Sequence, residues 1–405
     1  MRILYCIPRY DDNALGNQIH TEVIAEWRDC GHTVEIATMT SASRQVSSKV
    51  IEGWTVYALP TRPSRFVALC NRIGQWFTGY PYLFGALTSF ATFFRTQPVY
   101  DVIHVETAFP LGIAVALTKP AASKLAITLP GADIMQVPAF DYGYARYRLV
   151  RLLIRSVLRQ ADVVRADSRQ IEHLARQYGA QPNRLRAVPY NITVHSYGDT
   201  DGDIAVEKAQ ARAFLLETYD LPADATIVLS LNRLHPFKGI EYIIDAIPAV
   251  RATGFNMHVL VVGHNRTTPK FGDYGAYLAD KARLLGVTAY VHFVGGIPHH
   301  EARTYLAGSD TTIVPSIAES FSRVVIESAA AGTPPIVTAT TGASDYVRDA
   351  QCGVIVPPQD ASGIAAAICE VMNTHAVLAA RCLPFAEDFR SRVIARTLLD
   401  MYESL

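Results

Sequence analysis

The stretch that most constrains the fold is residues 311–337, TTIVPSIAESFSRVVIESAAAGTPPIV. Thr311 to Val314 is a short β-prone run broken by Pro315. Ser320 or Ser322 is placed to cap a helix through Val324, Val325 and Ile326 into Ala329 to Ala331. Gly332 and Pro334 stop that helix, and Pro335, Ile336 and Val337 start the next apolar strand. Strand, loop, helix, strand is the grammar of an open parallel sheet.

Two carboxylates sit in this unit. Glu319 lies in the loop ahead of the helix, and Glu327, eight residues later, stands about two turns further on. A ligand entering there meets the positive end of the helix, so a phosphate flanked by hydroxyl-bearing groups, as in a nucleotide sugar, fits the pattern. The plain alternative for Glu327 is a solvated helix residue, and the alanines that follow it argue against that. The segment resembles the E-x7-E motif of retaining glycosyltransferase family 4 through Glu319, Phe321, Glu327, Gly332 and Pro334. It departs at Ser320 and Ser322, where that family commonly has glycine.

A chain of 405 residues, half of them hydrophobic, favours two or three domains with sizeable cores. Lys+Arg and Asp+Glu both total 37, yet residues 1–200 carry an excess of six basic side chains and the remainder an equal acidic excess. The six cysteines show no C-x-x-C spacing and read as free thiols of a reducing compartment. The apolar run at the N-terminus is too short for a signal peptide, and no uninterrupted apolar stretch reaches the roughly 18 residues of a membrane span. A cytoplasmic protein is expected, with the inner face of the cell membrane as the alternative location.

In the first half, residues 2–7 read as a buried strand, residues 10–16 as a turn-rich loop, and Ile19, Val23, Ile24 and Trp27 as one helix face. No G-x-G-x-x-G is present, which speaks against a dinucleotide cofactor. Residues 65–95 are rich in aromatics with arginines at both ends. Gly74, Gly79, Pro81 and Gly85 break any long stripe, so core helices are expected, with peripheral membrane contact as the other reading. Residues 101–105 and 125–129 are further strands; the second is followed by Pro130, Gly131, Ala132 and Asp133. Residues 147–160 form a helix with Arg148, Arg151, Arg155 and Arg159 on one side and leucines on the other.

The polar residues 195–208 read as a linker. A strand over 226–231 then ends in Asn232, Arg233, Leu234, His235, Pro236, Phe237, Lys238 and Gly239, with a helix from Ile240. Arg233 and Lys238 thus place two permanent positive charges at the carboxyl end of a strand, where α/β sheets bind ligands. Strands at 258–263 and 290–295 follow; adjacent His299 and His300 project apart, so no metal is expected there.

The family resemblance runs through these elements: D-V-I-H at 101–104, N-R-L-H-P-F-K-G at 232–239, and the motif at 319–334. It implies an α/β fold of two Rossmann-like domains facing across a cleft, the GT-B architecture. The expected divisions are residues 1–198 as an acceptor-side domain, 199–384 as the donor domain, and a C-terminal helix at 385–405 returning to the first. The implied activity is transfer of a sugar with retention from a nucleotide diphosphate sugar to an acceptor hydroxyl, in cell-envelope glycan, lipopolysaccharide, exopolysaccharide or glycolipid synthesis. The acceptor is a glycan, a glycolipid or a small molecule.

By the same resemblance Arg233 and Lys238 hold the diphosphate, Glu319 the sugar hydroxyls and Glu327 the ribose. Gly16, Ile297, Ser320, Phe321 and Ser322 line the donor, and Asp133 is an active-site carboxylate. No metal, no cofactor and no nucleic acid is called for. Pro130 stands where relatives carry histidine. That departure motivates the alternatives of a nucleotide-sugar binder without transferase activity, and of an epimerase or phosphorylase on the same fold.

Overall fold

The computed structural model describes residues 1–10, 17–193, 203–265, 267–268 and 270–405. It divides into two units, Met1–Tyr190 with Ser391–Leu405, and Asn191–Arg390.

The first unit is built on β1 (Arg2–Ile7), β2 (Thr33–Thr40), β3 (Ser47–Ile51), β4 (Trp54–Pro60), β5 (Val102–Val105), β6 (Lys124–Leu129), β7 (Val163–Ala166) and β8 (Leu185–Ala187). They lie in the order β3-β4-β2-β1-β5-β6-β7-β8, and only β3 runs antiparallel to its neighbour. Ile3 faces Val34 on one side and Val102 on the other, so the central strand is flanked by apolar partners and buried through most of its length. Helices on both faces demand this near-continuous apolarity. They are α1 (Gln18–Asp29), α2 (Arg65–Thr78), α3 (Leu83–Thr96), α4 (Ile113–Thr118), α5 (Arg148–Gln160) and α6 (Arg169–Gln177).

The second unit runs α7 (Ile204–Thr218), β9 (Ala225–Leu231), α8 (Ile240–Ala252), β10 (Asn256–Val262), α9 (Tyr274–Leu284), β11 (Val291–Gly295), α10 (Ala302–Gly308) and β12 (Thr311–Val314). It continues with α11 (Arg323–Ala330), β13 (Pro335–Thr338), α12 (Ser344–Ala350), β14 (Val354–Val356) and α13 (Ala361–Glu387). Its sheet is wholly parallel, in the order β11-β10-β9-β12-β13-β14. The last helix, α14 (Ser391–Glu403), belongs to the first unit. There Ile394, Leu398 and Tyr402 join the apolar cluster of Ile3, Ile24 and Trp27, and the Trp27 indole donates to the Ala395 carbonyl at 2.9 Å.

Several sequence expectations change. The boundary expected at 198/199 lies outside the described residues, and the described chain already divides after Tyr190. The expected linker over 195–208 is helical from Ile204, with the Asp203 carboxylate accepting from the Ala205 N–H at 2.8 Å. The final helix, expected over Arg392 to Glu403 within the segment 385–405, forms over Ser391–Glu403, but the residues ahead of it are not a turn. Pro384 lies inside α13, which continues to Glu387 because Cys382, Phe385 and Ala386 are packed in an apolar cluster that outweighs one lost backbone hydrogen bond. α13 is the one helix among the described residues long and apolar enough to cross a bilayer. Ile364, Ile368 and Val371 bury it in the core beside residues of α8, such as Ile243 and Ile247.

Candidate functional site

Open α/β sheets take ligands at the carboxyl ends of their strands, at the point where strand order reverses. In the second unit that point lies between β9 and β12. Two loops leave it, one carrying Arg233 and Lys238 and the other Glu319. They touch backbone to backbone. Gly239 takes a φ of 66°, and a Cβ there would overlap the Pro315 carbonyl oxygen; only glycine satisfies both conditions. The Ile317 N–H donates to the Phe237 carbonyl at 2.8 Å, and the His235 imidazole accepts from the Phe237 N–H at 3.3 Å to round the short turn ahead of Lys238.

This arrangement sets the Lys238 ammonium on the Glu319 carboxylate. The pair is largely buried, with side-chain exposures of 9 % and 18 %. Glu319 is fixed through its backbone: its carbonyl accepts from the Gly342 N–H at 3.0 Å, and its N–H donates to Thr340 at 3.3 Å. Thr338 and Thr340 hydroxyls both donate to the Ser316 carbonyl, at 2.6 and 2.7 Å, bracing the same loop. Arg233 by contrast is exposed and makes no ion pair among the described residues. Burial holds the His235 imidazole below its ordinary range, and the charges of Arg233 and Lys238 add to the effect. A neutral His235 leaves those two cations as the positive charges of the loop.

α11 begins behind Glu319. Ser322 stands at its N-cap, but the hydroxyl makes no capping bond, contrary to the expectation of a serine cap. The reason is backbone geometry: Ser322 has a φ of 76°, a region that suits glycine, and cannot take the extended conformation of an ordinary cap. Glu327 is buried in α11 and is no solvated helix residue. Phe321, expected beside the donor, packs its ring against Tyr346 and Phe389 at centroid distances of 5.9 and 6.1 Å. Ser320 is half-buried next to it. Ile297 is half-buried against the apolar cluster that contains Leu229 and Val262.

In the first unit, Gly16 lies outside the described residues. Asp133 is buried; its carboxylate accepts from the Ala108 N–H at 2.6 Å and from the Ile134 N–H at 3.0 Å. Burial pushes its pKa up to about 7, against the lowering effect of those backbone donors. One oxygen thus holds the Ala108 backbone ahead of α4 and the other its own turn at Ile134.

Sequence reasoning missed a second cluster. Glu106 follows β5, at the reversal of strand order between β1 and β5, and is buried. It accepts from the Tyr5 hydroxyl, from the Tyr190 hydroxyl at 2.6 Å and from His104 Nε2 at 2.9 Å, with Arg165 at 3.8 Å. Although burial opposes it, the hydrogen bond and charge of His104, with His20 and Arg165, hold this carboxylate well below the usual range. The available signal was a histidine and a glutamate at the end of an otherwise apolar strand, since buried ionisable groups need partners.

Two family models match the chain: "Glycosyl transferases group 1" over residues 212–386 and "Glycosyl transferase 4-like domain" over residues 17–191. Between them they take in most of both units. The chain belongs to the family 4-like glycosyltransferases.

A D-inositol 3-phosphate glycosyltransferase of Acidothermus cellulolyticus is 31% identical over 239 residues, 54% of this chain and 49% of that protein. The chain thus spans about half the length of the curated relatives it matches. Among solved structures, sucrose-phosphate synthase from Thermosynechococcus elongatus aligns with a TM-score of 0.76 at 22% identity, over 100% of this chain and 99% of that one. Anabaena HepE in complex with UDP aligns with a TM-score of 0.74 at 19% identity, over the full length of both chains. The fold of this glycosyltransferase family member is accordingly GT-B, with two parallel-sheet α/β domains.

Proposed function

We propose that this protein transfers a sugar from a nucleoside diphosphate sugar to an acceptor hydroxyl, with retention at the anomeric carbon. The observation that carries the proposal is the Lys238–Glu319 pair at the strand reversal of the second unit, with exposed Arg233 on the same loop as Lys238. A donor exchanges partners with that pair: its diphosphate takes Lys238 and Arg233, and its sugar hydroxyls take Glu319. The exchange leaves neither buried charge unmatched, which keeps the desolvation cost of binding low.

Cleavage of the sugar–phosphate bond leaves negative charge on the β-phosphate. Cations fixed there stabilise the transition state more than the ground state, the task a divalent ion performs at other phosphoryl sites. Glu327 is assigned to the ribose hydroxyls and Gly16 to the phosphate side. Retention, the absence of a metal requirement and a role in cell-envelope or glycolipid synthesis rest on the family motif. UDP bound to HepE makes a uridine diphosphate sugar the first donor to test.

Isothermal titration with a panel of nucleotide sugars, followed by a nucleotide-release assay with mixed acceptors, tests this reading. Binding followed by acceptor-dependent release of the nucleoside diphosphate is expected. Binding without release supports instead a nucleotide-sugar binder, the reading that Pro130 motivates, and no binding to any donor overturns both.

A further inference from the structure

α2 is built inside out. Its inward face is Val67, Asn71, Gly74 and Thr78, small or polar residues, while Phe66, Leu69, Ile73, Trp76 and Phe77 point to solvent. Trp76 is 87% exposed and Phe66 73%. The inward polar groups are satisfied: the Asn71 amide donates to the Thr61 carbonyl at 3.0 Å and accepts from the Gly85 N–H at 3.1 Å, and the Thr78 hydroxyl donates to Gly74 at 2.8 Å. The core expectation for residues 65–95 holds for α3, where Phe90, Phe93 and Phe94 are buried, but not for α2. An exposed stripe of large apolar side chains at helical spacing contributes nothing to this fold and marks an interaction surface.

Charge identifies the partner. Residues 53–100 contain four arginines and no aspartate or glutamate, and residues 142–161 contain five arginines and none. Arg62, Arg65 and Arg72 are exposed beside the stripe. The end of α2 meets the start of α5, where a Cβ on Gly79 would overlap the Tyr147 ring. α5 presents exposed Leu149 and Leu152 together with Arg148, Arg155 and Arg159. Arg151, expected on that basic face, turns inward to the Ala145 carbonyl at 2.8 Å.

We propose that the outer faces of α2 and α5 dock this protein on an anionic lipid surface, with Trp76, Phe66 and Phe77 in the interface and the arginines on the headgroups. Aromatic residues favour the bilayer–water boundary, and acid-free basic faces are drawn to anionic lipid. A second copy is the poorer occupant, because a two-fold contact would set these arginines against themselves. The proposal is independent of the donor chemistry.

Of the three tryptophans Trp27 and Trp54 are buried, so Trp76 reports on the surface. Full-length protein is mixed at low ionic strength with phosphatidylcholine vesicles, with and without phosphatidylglycerol. With phosphatidylglycerol the protein floats with the vesicles, Trp76 emission moves to the blue, and brominated acyl chains quench it; phosphatidylcholine alone does none of this. Phe66→Ser with Phe77→Ser lowers partitioning by about tenfold or more, and Arg65→Glu or Arg72→Glu by about fivefold or more each. No flotation on the anionic vesicles overturns the proposal, as does a lipid-free dimer that shields Trp76. Nucleotide-sugar titration of the same samples without lipid reports separately on the transferase reading.

Discussion

Both units bring charged side chains to the reversal of strand order, and they use them in opposite ways. In the first, Glu106 is closed in by Tyr5, Tyr190, His104 and Arg165, so that every part of the carboxylate is occupied. In the second, Lys238 and Glu319 have chiefly each other, and Arg233 stands open on the same loop. A saturated network holds a scaffold together, whereas a sparse one leaves valence for a ligand. The same sheet position therefore holds a closed network in one half and an open pair in the other.

The sharpest way to break this contrast is Glu106→Ala. It strips an acceptor from three donors and leaves Arg165 without its counter-charge, and breaking a buried pair costs about 3–5 kcal/mol. The first unit's transition in urea is expected to move by that amount, and a shift under about 1 kcal/mol would show the network to be dispensable. Because the native pKa of Glu106 is depressed, its contribution is full above the unfolded value of 4.5 and is lost as pH falls below it.

Lys238→Ala should do the reverse: turnover falls by roughly a hundredfold or more, while the first unit's transition stays in place. Steady-state release of the nucleoside diphosphate measures it, and near-normal turnover removes Lys238 from the chemistry. The smallest effect sharpens the comparison within the second unit. Ser322→Gly relieves the backbone strain at the start of α11 and should stabilise that unit by about 1 kcal/mol, the relief exceeding the entropy cost of glycine. A lowered midpoint for the second unit's transition would mean the serine side chain contributes more than its strain costs.

The strands were legible because parallel sheets buried on both faces write themselves as apolar runs; β1 and the loop from Arg233 to Gly239 fall where their residues placed them. The outward turn of α2 was not legible. Aromatic composition is the same whether a helix face meets a core or solvent, and what decided it was Asn71 finding its partners in Thr61 and Gly85. The Glu106 network was hidden for another reason. Tyr5, His104, Arg165, Tyr190 and Tyr402 are scattered along the chain, and no local pattern foretells their meeting. The identity of Glu327 as a buried residue was half legible, through the alanines after it.

The ion pair at the second reversal joins residues 81 positions apart, with β10 and β11 laid down between them. During synthesis Lys238 emerges long before Glu319, so the pair forms only after the intervening strands have been made and threaded to one side. If the pair holds the donor as proposed, capture is thereby a late event in the maturation of the chain, and a ligand added to a growing or refolding polypeptide rewards only those molecules in which β9 to β12 are already made.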